Sequence, residues 1–508
     1  MSVLKRNIIY LLFSQVATWM ATMFLLILAP RRLGGEGFGR VQVAIAFVGF
    51  FNLIGSLGTY QHIVKHVARD SATLPRLVVS AIRLKLLSGV VLSVLALLVG
   101  AALGYDQEQL QLIAIGCAGM VLSLLNEMML AGLNGQERMA KAAVWQTVQV
   151  YVASILGAVV LFTTQSLTAY MATFSVAWAI PLVANFRSLR PSLVGAAGRH
   201  PGTWRGIILG GVPIFALSAL SLLYSTIDIP IVEAISGAEV VGWYSLAYRW
   251  VSIPIFITTI VCTAFLPRMS ALATTAPDEF ARLTNRALMM VLAVNIPASA
   301  GVIVVSGDLV DLLYGQDFEN SVLLMQLLAP FVPLVAVNTV LGTALVASDR
   351  HKRYIWVAAT AAVINPPLTI LAVRYADGRY DGNGAIGAAI VTVCTEIFIT
   401  ICALRMRRRG VFDRSTLVFV ARCLIAAGAM VVVVLLIDGS GLFVRVLVGG
   451  VVYGVASLAV GVVPPAEAKS FVASARARFL GGGKDEPPAD PDSIAETDST
   501  HSTSVGES

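Results

Sequence analysis

Two apolar stretches frame the chain: residues 206–229, GIILGGVPIFALSALSLLYSTIDI, and residues 241–266, VGWYSLAYRWVSIPIFITTIVCTAFL. Each is long enough to cross about 30 Å of hydrocarbon as a helix rising 1.5 Å per residue. A short acidic connection with Glu233, Gly237 and Glu239 joins them. The pair sets a carboxylate, Asp228, near the end of one apolar helix. It sets a guanidinium, Arg249, about two turns inside the next. Charges placed so deep in apolar segments are expected to face a polar interior rather than lipid.

The rest of the sequence repeats this pattern. Of 508 residues 57% are hydrophobic and 13% charged, about half the roughly 25% charge of a soluble globular protein. Mean hydropathy is +0.81. Continuous apolar runs, not ten-residue alternating ones, exclude a transmembrane barrel. About fourteen spans are predicted: 8–29, 41–61, 84–104, 111–132, 143–164, 167–186, 206–229, 241–266, 287–306, 322–347, 354–373, 384–404, 416–437 and 442–463. The fold class is thus an all-α polytopic membrane protein.

With the amino terminus inside, one set of loops is strongly basic and the other acidic, as the positive-inside rule requires. The net charge of +7 is therefore an insertion signal, and no nucleic acid is implied. Cys117, Cys262, Cys394, Cys402 and Cys423 lie inside apolar runs with no C-x-x-C pair, which argues against disulfides and zinc. The region after residue 463 is rich in Pro, Gly, Ser, Thr and Asp. It reads as a disordered cytoplasmic tail, 464–508.

An internal repeat organises the spans. Leu33-Gly-Gly-Glu-Gly-Phe-Gly39 precedes the second span as Ile235-Ser-Gly-Ala-Glu-Val-Val-Gly242 precedes the eighth. Leu133-Asn-Gly-Gln-Glu-Arg138 leads into the fifth as Leu345-Val-Ala-Ser-Asp-Arg350 leads into the eleventh. The expected order is a six-helix lobe (1–200), a second (201–410) and two additional helices (411–463). Six being even, both copies insert in one orientation around a pseudo-twofold axis along the membrane normal, with a cavity between them.

The segments Leu33–Gly39, Gly242-Trp-Tyr-Ser-Leu-Ala-Tyr-Arg249, Leu266-Pro-Arg-Met-Ser270, Leu313-Tyr-Gly-Gln-Asp-Phe318 and Gly384-Ala-Ile-Gly-Ala-Ala-Ile390 resemble polysaccharide flippases. These are the Wzx-type branch of the MATE-like multidrug/oligosaccharidyl-lipid/polysaccharide superfamily. The resemblance runs to about residue 463. It implies export of a polyprenyl-diphosphate-linked oligosaccharide across the bacterial inner membrane, for surface polysaccharide biosynthesis. It also implies membrane lipids and polysaccharide polymerase or export machinery as partners; the cytoplasmic termini follow from the loop charges.

Such cargo needs a hydrated cavity with a fixed cation for the diphosphate. Arginine suits it, because its planar fork makes two parallel hydrogen bonds and stays charged. Glu127, Arg249, Glu396 and Arg422 lie well inside predicted spans. Ser245, Arg249, Ser252 and Thr259 recur at helical spacing as one polar stripe. Arg249 either lines the cavity or pairs with Asp228 or another carboxylate. Asp228 extends a stripe of Ser218, Ser221 and Ser225, and either binds substrate or is solvated at a rim. Arg31 and Arg32 fall on the outer side against the charge rule, as gate or diphosphate contacts or as headgroup contacts. Glu127, on a face with Gly116, Gly119, Ser123 and Ala131, either caps a packed seam or takes up a coupling proton. Glu396 is a second such candidate, and Arg422 is expected to snorkel. Lys65, Arg69, Arg83 and Lys85 read as positive-inside residues. Prolines 213, 254, 297, 330, 333, 366 and 367 are kinks or bending points.

Two rivals remain. A multidrug antiporter of the same superfamily usually stops at about twelve spans. A membrane-embedded polymerase or glycosyltransferase generally needs a large loop with acid, base or metal ligands, and none is present. There is no D-x-D motif and no P-loop. His62 and His66 have no third ligand nearby, so no metal or cofactor is expected.

Overall fold

A computed structural model describes residues 3–193, 204–348, 351–408 and 410–462; the predicted tail lies outside them. The described residues form eighteen α-helices and two short 3-10 turns, with no strand. In chain order these are α1 Val3–Ser56, α2 Thr59–Arg69, α3 Leu74–Ala102, α4 Gln107–Gly135, α5 Met139–Thr163, α6 Leu167–Ala177, α7 Ala179–Leu193, α8 Trp204–Thr226 and α9 Asp228–Ser236. There follow α10 Ala238–Ser252, α11 Ile255–Thr275, α12 Pro277–Leu313, α13 Asn320–Leu328, α14 Phe331–Ala347, α15 His351–Asp377, α16 Ala385–Met406, α17 Arg414–Leu436 and α18 Leu442–Val460.

Twelve helical stretches among the described residues are long and apolar enough to cross a membrane. They do not map one for one onto the fourteen predicted spans. Met20–Arg69 carries the first two together, and the segment at 206–229 is shared between α8 and α9. The protein is a multi-pass membrane protein.

The glycine-rich stretch before the second span is helical rather than a loop. Within α1 the break falls at Gly34 alone (φ 70°, ψ 178°). A straight helix of 54 residues would run about 80 Å, more than twice the hydrocarbon thickness, so the chain must turn here. Gly237 (φ 87°, ψ 173°) separates α9 from α10 with nearly the same backbone angles. Both lie at positive φ, where a β-carbon is costly, and they occupy matching places in the two repeated motifs. The acidic connection is likewise shorter than expected: Glu233 and Glu239 both lie on helices.

Downstream of these two glycines the backbones of α1 and α10 touch. A β-carbon on Gly39 would lie 1.7 Å from the carbonyl oxygen of Ala238, and one on Gly242 would lie 2.2 Å from that of Gly35. Each helix thus presents a glycine to the residue just after the other's positive-φ glycine. Side chains close the same end. Tyr105 donates to Glu233 (2.8 Å), Trp243 to the Asp317 carbonyl (2.8 Å) and Trp250 to the Tyr314 hydroxyl (2.8 Å). Tyr314 in turn donates to the Leu26 carbonyl at 3.1 Å.

Helix ends follow from local sequence. Asp106 and Asp413 cap α4 and α17, accepting from the backbone N–H groups of Gln109 (2.8 Å) and Thr416 (3.0 Å), the usual way to satisfy a first-turn donor. Arg40 donates to Asp106 at 2.7 Å and holds its carboxyl below the ordinary range. That clasp is present above the ordinary carboxylate value and is lost as pH falls through the lowered one. Pro254 and Pro330 stand at the breaks before α11 and α14, where their missing N–H groups cost no helical bond. The expected stripe of Ser245, Arg249, Ser252 and Thr259 is therefore interrupted: α10 ends at Ser252, and Thr259 lies on α11.

The last two helices pack on α12. Tyr453 donates to the Ala293 carbonyl at 2.7 Å. Arg445, 4% exposed, pairs with Asp308, with Asp438 at 3.1 Å and with the Val304 carbonyl at 3.2 Å. Asp308→Ala leaves that guanidinium short of its nearest partner. We expect a loss of about 2 kcal/mol, below the 3–5 kcal/mol of a fully enclosed pair because Asp308 is partly open. A lowered thermal midpoint in detergent checks this, and an unchanged midpoint refutes it.

Candidate functional site

The register of α10 builds the site. Val240, Val241, Tyr244, Leu246, Ala247 and Val251 are buried, which turns Ser245, Arg249 and Ser252, at spacings of four and three, toward one hollow. That hollow, about 440 Å³, lies between α10, α1, α9 and the end of α8. Its wall includes Gln42, Gly49, Thr226, Asp228, Tyr248 and Arg249. A second hollow of about 210 Å³ lies between α1, α5 and α6, lined mainly by apolar side chains such as Leu25, Phe38, Val41, Ala153 and Phe174. Gln42, Ile45 and Arg249 border both. The larger volume suits a small-molecule head of a few rings.

Arg249 is exposed to this space and makes no ion pair with any described residue. The pairing with Asp228 weighed from the sequence does not form. A guanidinium carries five donors and no acceptor, so one left open in a cavity is free for an oxyanion.

Asp228 is not at a solvated rim. It is 4% exposed, in the first turn of α9, and the chain runs on from it as helix to Ser236. Its Oδ2 accepts from Tyr244 Oη (2.8 Å) and from Thr392 Oγ1 of α16 (3.0 Å), while Oδ1 has no partner among the described residues. Ser245 also lines the cavity with an unpartnered hydroxyl. The Ser252 hydroxyl donates to the Tyr248 carbonyl at 2.6 Å. The side chains of Ser218, Ser221 and Ser225 lie outside the described ones.

Glu396 is 4% exposed and accepts from Asn338 Nδ2 at 2.6 Å. It lies one turn beyond Thr392, so α16 carries a buried polar seam: Thr392, Thr395 and Glu396.

Arg31 and Arg32 are not brought to the cavity. Both are exposed, and the Arg32 guanidinium lies 4.5 Å over the Phe162 ring, a cation–π contact. Arg422 is exposed and donates to the Gly461 carbonyl at 3.2 Å, at the end of α18.

Glu127 sits in a cluster that the sequence reading did not assemble. It accepts from Ser56 Oγ at 2.6 Å, and Lys85 Nζ lies 3.9 Å from its Oε2. Lys85, read as a membrane-edge base, is 0% exposed. Its ammonium donates to the carbonyls of Gly55 (2.6 Å) and Ser56. Those carbonyls end α1, where the chain turns through Leu57 (φ 50°) and Gly58 (φ 63°). They have no helical partner and carry the negative end of the helix dipole. A cation is the natural cap. The clue was spacing: Val78, Ala81, Lys85 and Gly89 share one buried face of α3.

The small face of α4 packs closely. Gly119 lies against Ser175 of α6, whose hydroxyl donates to the Ile115 carbonyl at 2.7 Å. The His62 and His66 rings stand 4.2 Å apart, and no group of three metal-type side chains occurs among the described residues. His62 packs on Gly210 of α8.

Comparison with known proteins fits this architecture. Residues 4–273, more than half the chain, match the family described as polysaccharide biosynthesis protein. Residues 196–445 match that of the lipid II flippase MurJ. A membrane protein in the cps region of Klebsiella pneumoniae is 26% identical over 227 residues, 42% of this chain and 45% of that protein. The lipopolysaccharide biosynthesis protein WzxC of Escherichia coli (strain K12) is 27% identical over 144 residues, 28% of each. The matched segments thus span less than half the length of these curated relatives. Among solved structures, the lipid II flippase MurJ in an inward closed conformation superposes with TM-score 0.72 at 16% identity, covering 88% of this chain and 98% of that one. A multidrug resistance MATE family transporter, inward-facing, gives 0.64 at 16% identity, covering 78% and 97%. On the extent of the family match the chain belongs to the polysaccharide biosynthesis protein family, and its fold is the one shared by MurJ and the MATE transporters.

Proposed function

We propose that the protein is a flippase that moves a polyprenyl-diphosphate-linked oligosaccharide across the bacterial inner membrane by alternating access. The observation that carries this reading is Arg249, a guanidinium without an ion-pair partner among the described residues, open to a cavity inside a membrane-spanning bundle. The diphosphate sits on that cation, the glycan occupies the larger hollow, and the isoprenoid stays in lipid. The family match and the relatives WzxC and MurJ support it.

The working unit is two six-helix lobes, 1–200 and 201–410, with 411–463 as an added pair. The termini and basic loops are cytoplasmic, so the contact between Gly35–Gly39 and Ala238–Gly242 closes the external end. Asp228, Ser245 and Ser252 complete the glycan wall; Arg31 and Arg32 lie outside it. Glu127 and Glu396 are the coupling candidates, and Glu127 ranks first because its Lys85 partner grips the end of α1.

The test is purified protein in liposomes with a fluorescent lipid-diphosphate sugar, scored for movement with and without a proton gradient. Movement supports the reading. Drug efflux with no glycolipid movement overturns it in favour of an antiporter. Glu127→Gln is expected to abolish any stimulation by the gradient while downhill movement persists; stimulation equal to wild type removes Glu127 from coupling.

A further inference from the structure

On the footing of that transport reading, we infer that the cavity selects glycans free of acidic groups, and that Asp228 enforces the selection. The two hollows hold one cation between them, Arg249, and one carboxylate, Asp228, among the described lining residues. The part of α8 whose side chains are not described lies within Pro213–Ser225, PIFALSALSLLYS, which contains no charged residue. It adds no second cation. A diphosphate engages the whole fork of a single guanidinium, which leaves no other cation among the described lining residues to neutralise a uronate or a sulfate on the sugar.

Asp228 adds an opposing field. It makes no ion pair with a described residue and is enclosed by protein. The two hydroxyls on Oδ2 fix its position, while Oδ1 remains an acceptor without a donor among the described residues. An anion brought to within about 8 Å of it, at an effective dielectric near 20, is disfavoured roughly thirtyfold. Hydroxyl, acetamido and amino groups carry donors instead and meet no such repulsion.

Two probes of equal length test this, both fluorescent polyprenyl-diphosphate disaccharides: one neutral, one ending in a uronic acid. In liposomes, wild-type protein should move the neutral probe at least tenfold faster. Asp228→Asn, which keeps the shape and removes the charge, should narrow the ratio to about threefold or less. Because the readout is a ratio within one preparation, a partial loss of folded protein does not alter it. Should the variant not insert, the wild-type ratio decides alone. Equal wild-type rates, or a ratio unchanged in Asp228→Asn, overturn the selectivity. Movement of neither probe overturns the transport reading itself.

Discussion

Arg249→Ala is expected to cut movement of a lipid-diphosphate sugar about a hundredfold while leaving membrane insertion intact. The size follows from what the side chain offers. Hydrogen bonds to charged groups are each worth about 1.5–3 kcal/mol, and a guanidinium fork makes two at once to a phosphate. Removing one of them costs roughly tenfold or more, and removing both costs on the order of a hundredfold. Arg249→Lys keeps the charge and loses the fork, so an intermediate rate, within about tenfold of wild type, is expected. Arg422→Ala is the control: that guanidinium is exposed and donates to the Gly461 carbonyl at the end of α18. Arg249→Ala is not expected to unfold the bundle, because among the described residues Arg249 makes no ion pair whose loss would strand a buried carboxylate. Rates for Arg249→Ala equal to wild type would remove this residue from the substrate path.

The second large effect concerns the contact at the Gly34 end. Gly39→Val should abolish transport, at least a hundredfold, and Gly242→Val should do the same. In each case the new β-carbon would enter space occupied by a backbone carbonyl, of Ala238 or of Gly35. Backbone cannot rotate away as a flexible side chain can. Overpacking typically costs about 1–3 kcal/mol, and more where nothing yields. A few kilocalories per mole placed on one state of a two-state cycle shift its population by two orders of magnitude or more. Gly301→Val serves as the comparison, since nothing lies near its would-be β-carbon. Transport rate and elution profile in detergent check the result together. A Gly39→Val protein that elutes and transports as wild type does would show that these backbones need not meet at any stage.

Much of this architecture was legible in the sequence, for reasons visible in particular residues. Long apolar runs and loop charges give the membrane class because hydrocarbon tolerates little else. The glycine motif recurs before α10 as it does within α1, and each copy carries one positive-φ glycine; Arg249 is a charge at helical spacing among serines. What escaped was tertiary. The Leu33–Gly39 run reads as a loop by composition, but its glycines let two helices approach, and only Gly34 breaks the helix. Asp228 reads as a rim residue because Tyr244 and Thr392, which enclose it, are 16 and 164 positions away. Lys85 resembles its basic neighbours, and only the end of α1 packed above it makes it buried. The sidedness of Arg32 leaves gate and headgroup contacts equally open, and the Phe162 ring beneath its guanidinium could not be read from sequence.

The reciprocal approach of Gly39 to Ala238 and of Gly242 to Gly35 has the form of an isologous contact, in which each surface meets its own image. Two identical half-length chains could make it without alteration. The interface is therefore compatible with an ancestor that worked as a homodimer before its gene was copied in tandem. On that view Glu127 and Lys85 lie in the first of the two proposed lobes, and Asp228 and Arg249 in the second.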